Sequence, residues 1–194
     1  MRTFSAGQVD QAATLLRGGG LLAYPTEAVF GLGCDPLNEE AVARLYRLKQ
    51  RGPAQGFLLI ASSEEQLSSF VDWSALSEQR IASIRGTWPG PVTWILPRRA
   101  LQAPCVMGSH HGIAVRVTAH PVASALCTAF GGAVVSTSAN PHGREAAKST
   151  VAVSEYFENA DLDATLDGPV GGAAGPSEIR DALTGAVVRH PTGK

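Results

Sequence analysis

Short apolar runs recur along this chain, and segments of helical period separate most of them. The runs are LLAY (21–24), FLLIA (57–61), VTWIL (92–96), IAVRVT (113–118) and AVVSTS (133–138), with a further one at AVVR (186–189). Their length and their β-branched and aromatic content predict strands. Apolar residues recur at helical spacing over 7–17, 39–50, 64–70, 75–86, 121–130 and 151–158. Ser63 with Gln66 predicts a capping box, and His120 followed by Pro121 puts proline at a first helical position. Helices between most strands leave little room for hairpins, so the pattern predicts an α/β or α+β layer fold with a largely mixed sheet.

The 194 residues suffice for one large core, and residues 1–190 are expected to form a single domain with a frayed tail at 191–194. The segment DGPVGGAAGPS (167–177) holds too much glycine and proline for the interior of an element and predicts a mobile loop. Sixteen Lys and Arg against seventeen Asp and Glu give no global field for a nucleic acid or an anionic membrane, so any anion site has to be local. Cys34, Cys105 and Cys127 are odd in number and widely spaced, which speaks against a disulfide framework or a zinc ribbon and fits a reducing cytoplasm. No apolar run approaches the ~18 residues that would span a bilayer, so no membrane partner is expected.

Several residues admit two readings. In PTEAVFGLG (25–33), Gly31 and Gly33 either make a strand-to-loop turn or let backbone approach a ligand beside the Thr26 hydroxyl. In the helix over 38–51, Ala41, Val42, Leu45 and Leu48 form an apolar arc that also contains Lys49, while Arg44, Arg47 and Arg51 lie opposite as a basic face. A lysine in such an arc either snorkels to solvent or points into a cleft that needs positive charge. Arg116 is a charge in mid-strand, either protecting a sheet edge or presenting a planar fork to a carboxylate or phosphate. In VVSTSAN, period 2 puts Ser136 and Ser138 on one face and Thr137 on the other, with Asn140 at the exit; these groups either cap a turn or form a polar rim for a ligand. No P-loop, nucleophile elbow or HExxH occurs, and His110–His111 reads as a loop without further metal-ligand spacing.

Taken in order, PTEAVFGLG, LKQR, WPGPVT, AVRVTAHP, STSAN and SEIRDALTG resemble the YrdC family in its short bacterial form. The resemblance covers nearly the whole chain and implies a twisted sheet with flanking helices around a deep, concave, positively charged cleft. It implies an enzyme that forms L-threonylcarbamoyladenylate and pyrophosphate from L-threonine, bicarbonate or CO2, and ATP. The product would feed a transferase complex that makes N6-threonylcarbamoyladenosine (t6A) at position 37 of tRNAs reading ANN codons. Thr26, Arg116, Ser136 and Ser177 resemble positions around threonine. Lys49, Arg51, Ser138, Asn140 and Arg189 resemble the ATP side, with Lys49 and Arg51 as catalytic candidates; Gln55, where long-form relatives carry asparagine, is placed with them. Magnesium is expected to ride on the nucleotide, with no metal site in the protein. Ala28 stands where many relatives have a second threonine, and Ile60 where they have histidine. Two other readings are a carbamoyladenylate-forming domain that uses carbamoyl phosphate, and a non-catalytic factor that binds tRNA or double-stranded RNA along the cleft.

Overall fold

The computed structural model describes residues 1–99, 104–141, 143–173 and 175–190. The expected tail at 191–194 lies outside them. Among the described residues ten strands form one sheet: β1 (Arg2–Phe4), β2 (Leu22–Pro25), β3 (Phe30–Gly33), β4 (Leu58–Ala61), β5 (Val92–Pro97), β6 (Gly112–Val117), β7 (Val134–Ser138), β8 (Ala164–Leu166), β9 (Glu178–Asp181) and β10 (Val187–Arg189). Their order across the sheet is β1-β8-β2-β3-β7-β4-β6-β5-β9-β10. Pairs β1/β8, β2/β8, β4/β6 and β5/β9 are parallel and the rest antiparallel, the mixed sheet that the interleaved pattern predicts.

The helices are α1 (Val9–Arg17), α2 (Glu39–Lys49), α3 (Glu78–Arg85), α4 (Pro104–Met107), α5 (Pro121–Phe130) and α6 (Thr150–Phe157). Both faces of the central strands are covered, which is why their sequences read as nearly unbroken apolar runs. Leu22 and Tyr24, with Ile60 and Val134, pack against Ala12, Ala13 and Leu16 of α1 and Ala123, Leu126 and Cys127 of α5. Their neighbours Leu21, Ala23, Leu59 and Val135 face the opposite layer, with Val42 and Leu45 of α2, Ile84 of α3 and Val153 and Phe157 of α6. Asn38, Ser77 and Ser149 each accept a backbone N–H at the start of α2, α3 and α6. His120 caps α5, with Pro121 in its first turn as predicted.

Three expectations change. The helix at 64–70 is a single 3-10 turn, Glu65–Leu67. The Ser63/Gln66 box gives way to longer reaches of Gln66, whose Oε1 accepts from Ser62 N and whose Nε2 donates to Cys127 O. Arg44 leaves the supposed basic face and donates to Asp161, Asp163 and Gly19 O, tying α2 to the turn before β8. The sequence did not mark β3, because its FGLG has two glycines where a strand would show side chains.

Those glycines have separate jobs. A Cβ on Gly33 would lie 2.3 Å from Val135 O and 2.8 Å from the Tyr24 ring, inside the sheet, so Gly33 serves strand packing and not a ligand. A Cβ on Gly31 would meet mainly the Ser136 hydroxyl, at 3.1 Å, and Gly31 borders the cavity described below. Gly33→Ala is expected to lower stability by about 1–3 kcal/mol through overpacking against fixed backbone. Gly31→Ala should cost clearly less, and equal shifts of the two urea midpoints would contradict this division.

Candidate active site

Between β7 and β4 the ladder ends at Ser136, paired with Leu58, while β7 runs on to Ser138 against β3 alone. The strands therefore part where β7 carries its hydroxyls, and a cavity of about 1190 Å³ opens there. All ten residues singled out in the sequence line it: Thr26, Lys49, Arg51, Gln55, Arg116, Ser136, Ser138, Asn140, Ser177 and Arg189. The turn after β2, the end of α2, the 3-10 turn Pro53–Gln55, strand β6, the exit of β7, the residue before β9 and strand β10 contribute them from distant parts of the chain.

One end of the cavity is organised by Lys49. It closes the apolar arc of α2 and is 5% exposed, so the snorkelling alternative fails. Its ammonium donates to Ser138 O at 2.6 Å, Asn140 O at 2.6 Å and Asn140 Oδ1 at 3.0 Å. Ser138 Oγ donates to the same Oδ1 at 2.6 Å, while Asn140 Nδ2 donates to Arg144 O at 2.7 Å. Burial first, and the charge of Arg51 second, pull Lys49 down to about 8. Gln50 ends α2 with a left-handed φ of 50°, which turns the chain so that Arg51 enters the cavity. There Arg51 Nε donates to Gln55 Oε1 at 2.8 Å, Nη1 lies 3.4 Å from Thr137 Oγ1, and the guanidinium stands over the Phe57 ring. Thr137, placed by period 2 on the other face, thus borders the same cavity, because β7 has lost its β4 neighbour at that point.

The other end is built around Arg116. Strand β6 lies between β4 and β5, so Arg116 does not guard an edge; it is 6% exposed and its Nη2 stands 3.1 Å from Glu27 Oε2. Thr26 Oγ1 donates to Val29 O within the β2–β3 turn, and Ser136 is buried beside it. Ser177 Oγ is 2.9 Å from Thr93 Oγ1, while Arg189 Nη2 donates to Ser177 O at 2.8 Å. Burial and the charge of Arg116 lower the pKa of Arg189. Ala28 borders the cavity, but Ile60 is buried in the α1/α5 layer, away from it.

Part of the glycine-rich segment, residues 169–173, is hydrogen-bonded to the rest of the protein. Gly171 N donates to Thr26 O and Ala173 N to Glu27 O, and a ring nitrogen of His120 is 3.0 Å from Pro169 O. A Cβ on Gly171 would come within 2.7 Å of Glu27 O, so this glycine permits close backbone approach. Glu27, Arg144 and Lys148 also line the cavity; the sequence reading did not select them. Glu27 was within reach of it, as a carboxylate following Thr26. Six Lys and Arg thus face three carboxylates, Glu27, Glu145 and Asp181, among the described lining residues.

An α/β protein with a deep cavity at a strand exit, cationic at one end and carrying a buried guanidinium at the other, is suited to hold a polyanion beside a carboxylate. The Sua5/YciO/YrdC family model, described as telomere recombination, matches residues 14–190, and the chain belongs to this family. It is 49% identical over 182 residues to the threonylcarbamoyl-AMP synthase of Cellvibrio japonicus, covering 94% of this chain and 95% of that one. To the enzyme of the same name from Halorhodospira halophila it is 50% identical over 183 residues, covering 94% of each. A solved structure of P. abyssi Sua5 complexed with L-threonine superposes with a TM-score of 0.84 at 28% identity. That match covers 93% of this chain but 53% of the Sua5 chain, so this chain spans about half of it. No helix among the described residues is long and apolar enough to cross a membrane.

The lowered pKa of Lys49 has a thermodynamic consequence. Its folded value of about 8 lies below the ordinary 10.5, so between these pH values the unfolded chain binds the proton and the folded chain releases it. The contribution of this group to stability therefore rises with pH across that window. The unfolding free energy of the wild type, minus that of Lys49→Met, should increase from pH 8 to 10.5 in urea titrations; a decrease would contradict the dominance of burial.

Proposed function

We propose that the cavity forms L-threonylcarbamoyladenylate and pyrophosphate from L-threonine, bicarbonate and ATP. The observation that carries this reading is the convergence in one cavity of two differently built ends, with all ten sequence-selected residues lining it. Arg51, Ser138, Asn140 and Gln55 face the nucleotide from the Lys49 end, and Arg189, bonded to Ser177 O, reaches it from the Arg116 end. Lys49 has its three N–H bonds committed to the β7 exit, so it holds Ser138 and Asn140 in place and adds its charge to the phosphate site. Arg116 takes the threonine carboxylate, with Thr26, Ser136 and Ser177 around the rest of the amino acid.

The chemistry needs no protein nucleophile. The threonine amine takes up bicarbonate with loss of water to give N-carboxythreonine. Its carboxylate then attacks the α-phosphorus, the bond to the β-phosphate oxygen breaks, and pyrophosphate leaves in line. Catalysis consists of positioning and charge neutralisation, as in phosphoryl transfer generally. Magnesium would arrive with the triphosphate and offset part of its charge. The segment at 167–173, bonded to Thr26 and Glu27 through Gly171 and Ala173, shields the labile carbamate from water. The adenylate passes to a t6A transferase complex acting on tRNA in the cytoplasm.

Purified protein incubated with ATP, bicarbonate and each amino acid in turn should release pyrophosphate with threonine. Release with carbamoyl phosphate and no amino acid would instead favour carbamoyladenylate formation. RNA binding without any turnover would overturn the enzymatic reading. Arg51→Ala should lower kcat/KM by about 10²-fold, the scale of one lost preorganised donor. Arg116→Ala should chiefly raise the KM for threonine, and an effect confined to ATP would contradict its role.

A further inference from the structure

Glu27 stands apart from the residues that the proposed reaction uses, yet it joins most of the elements at the amino-acid end. Its carboxylate is oriented from one side, where Oε1 accepts from Thr118 Oγ1 at 2.6 Å and Ala119 N at 3.2 Å. Its backbone is fixed by the Ala173 N–H donated to its carbonyl. The second oxygen, Oε2, is 3.1 Å from Arg116 Nη2, the ion pair that Arg116 makes among the described residues.

That pair is incompletely satisfied. Glu27 Oε2 and Arg116 Nε are both buried without a hydrogen-bond partner. Buried polar atoms left unpaired are costly; Nε is sealed like Oε2, so a carboxylate entering the cavity meets Arg116 where its side chain lines it. Because Oε2 is sealed from solvent and Oε1 is already engaged, Glu27 acts on a ligand through Arg116. A second guanidinium, Arg189, shares the cavity and repels Arg116. Without a fixed counter-charge, nothing on β6 would keep the Arg116 fork aimed at one place.

We propose that Glu27 is the positioning residue for Arg116 and thereby sets the affinity for the carboxylate of the amino-acid substrate, a role that rests on the reading of the cavity given above. Glu27→Gln keeps the shape and the acceptor for Thr118 but removes the charge. Calorimetric Kd and steady-state KM for threonine are expected to rise about tenfold, the scale of one charge-assisted hydrogen bond, with KM for ATP and kcat held within about twofold. In an Arg116→Ala background the same substitution should add nothing. Thr118→Val, which releases Oε1 without removing the charge, should shift threonine affinity in the same direction by less, and it carries the test where Glu27→Gln does not fold. Unchanged threonine affinity, an equal loss in the Arg116→Ala background, or a parallel loss for ATP would overturn the proposal. A wild type that binds threonine but releases no pyrophosphate would overturn the proposed reaction and leave the role of Glu27 to the calorimetry.

Discussion

The ammonium of Lys49 is the point at which a helix end, a strand exit and a cavity are fastened together. It is buried in the apolar arc of α2, so it has to find oxygen partners there, and the carbonyls of Ser138 and Asn140 with the Asn140 side chain supply them. Burying a charge is costly unless partners and hydrogen bonds offset the lost hydration. The same requirement fixes where β7 stops, how Asn140 turns, and which way the Ser138 hydroxyl faces.

The opposite end applies the same rule with a different balance. Arg116 is as deeply buried as Lys49, but its counter-charge leaves one guanidinium nitrogen and one carboxylate oxygen without hydrogen-bond partners. The cavity therefore has one end where a buried ammonium is hydrogen-bonded within the protein and one end where a buried ion pair keeps two atoms without hydrogen-bond partners. The chain belongs to the Sua5/YciO/YrdC family and is similar to threonylcarbamoyl-AMP synthases along almost its whole length.

Strands with side chains of clear character, such as IAVRVT and AVVSTS, were legible because apolar runs bounded by turns have few other folds open to them. FGLG was not, since its glycines matter for what a Cβ would strike, Val135 O in one case and a serine hydroxyl in the other. The helix over 64–70 failed for a related reason: Gln66 finds better partners in Ser62 and Cys127 than in a local cap. At 167–177 the glycine content showed only that a regular element was excluded; that Gly171 packs closely on Glu27 needed the structure.

By itself the sequence determined the interleaving of helices and strands, the place of Lys49 on an apolar arc, the hydroxyls at the end of β7, and the motifs that carry the family resemblance. These follow from local period and residue type. Only the tertiary structure decided that β6 is an interior strand, that β7 and β4 part at Ser136 and Leu58, and that Glu27 meets Arg116. Strand order and the pairing of charges 89 residues apart in the chain depend on long-range packing, which no local pattern encodes.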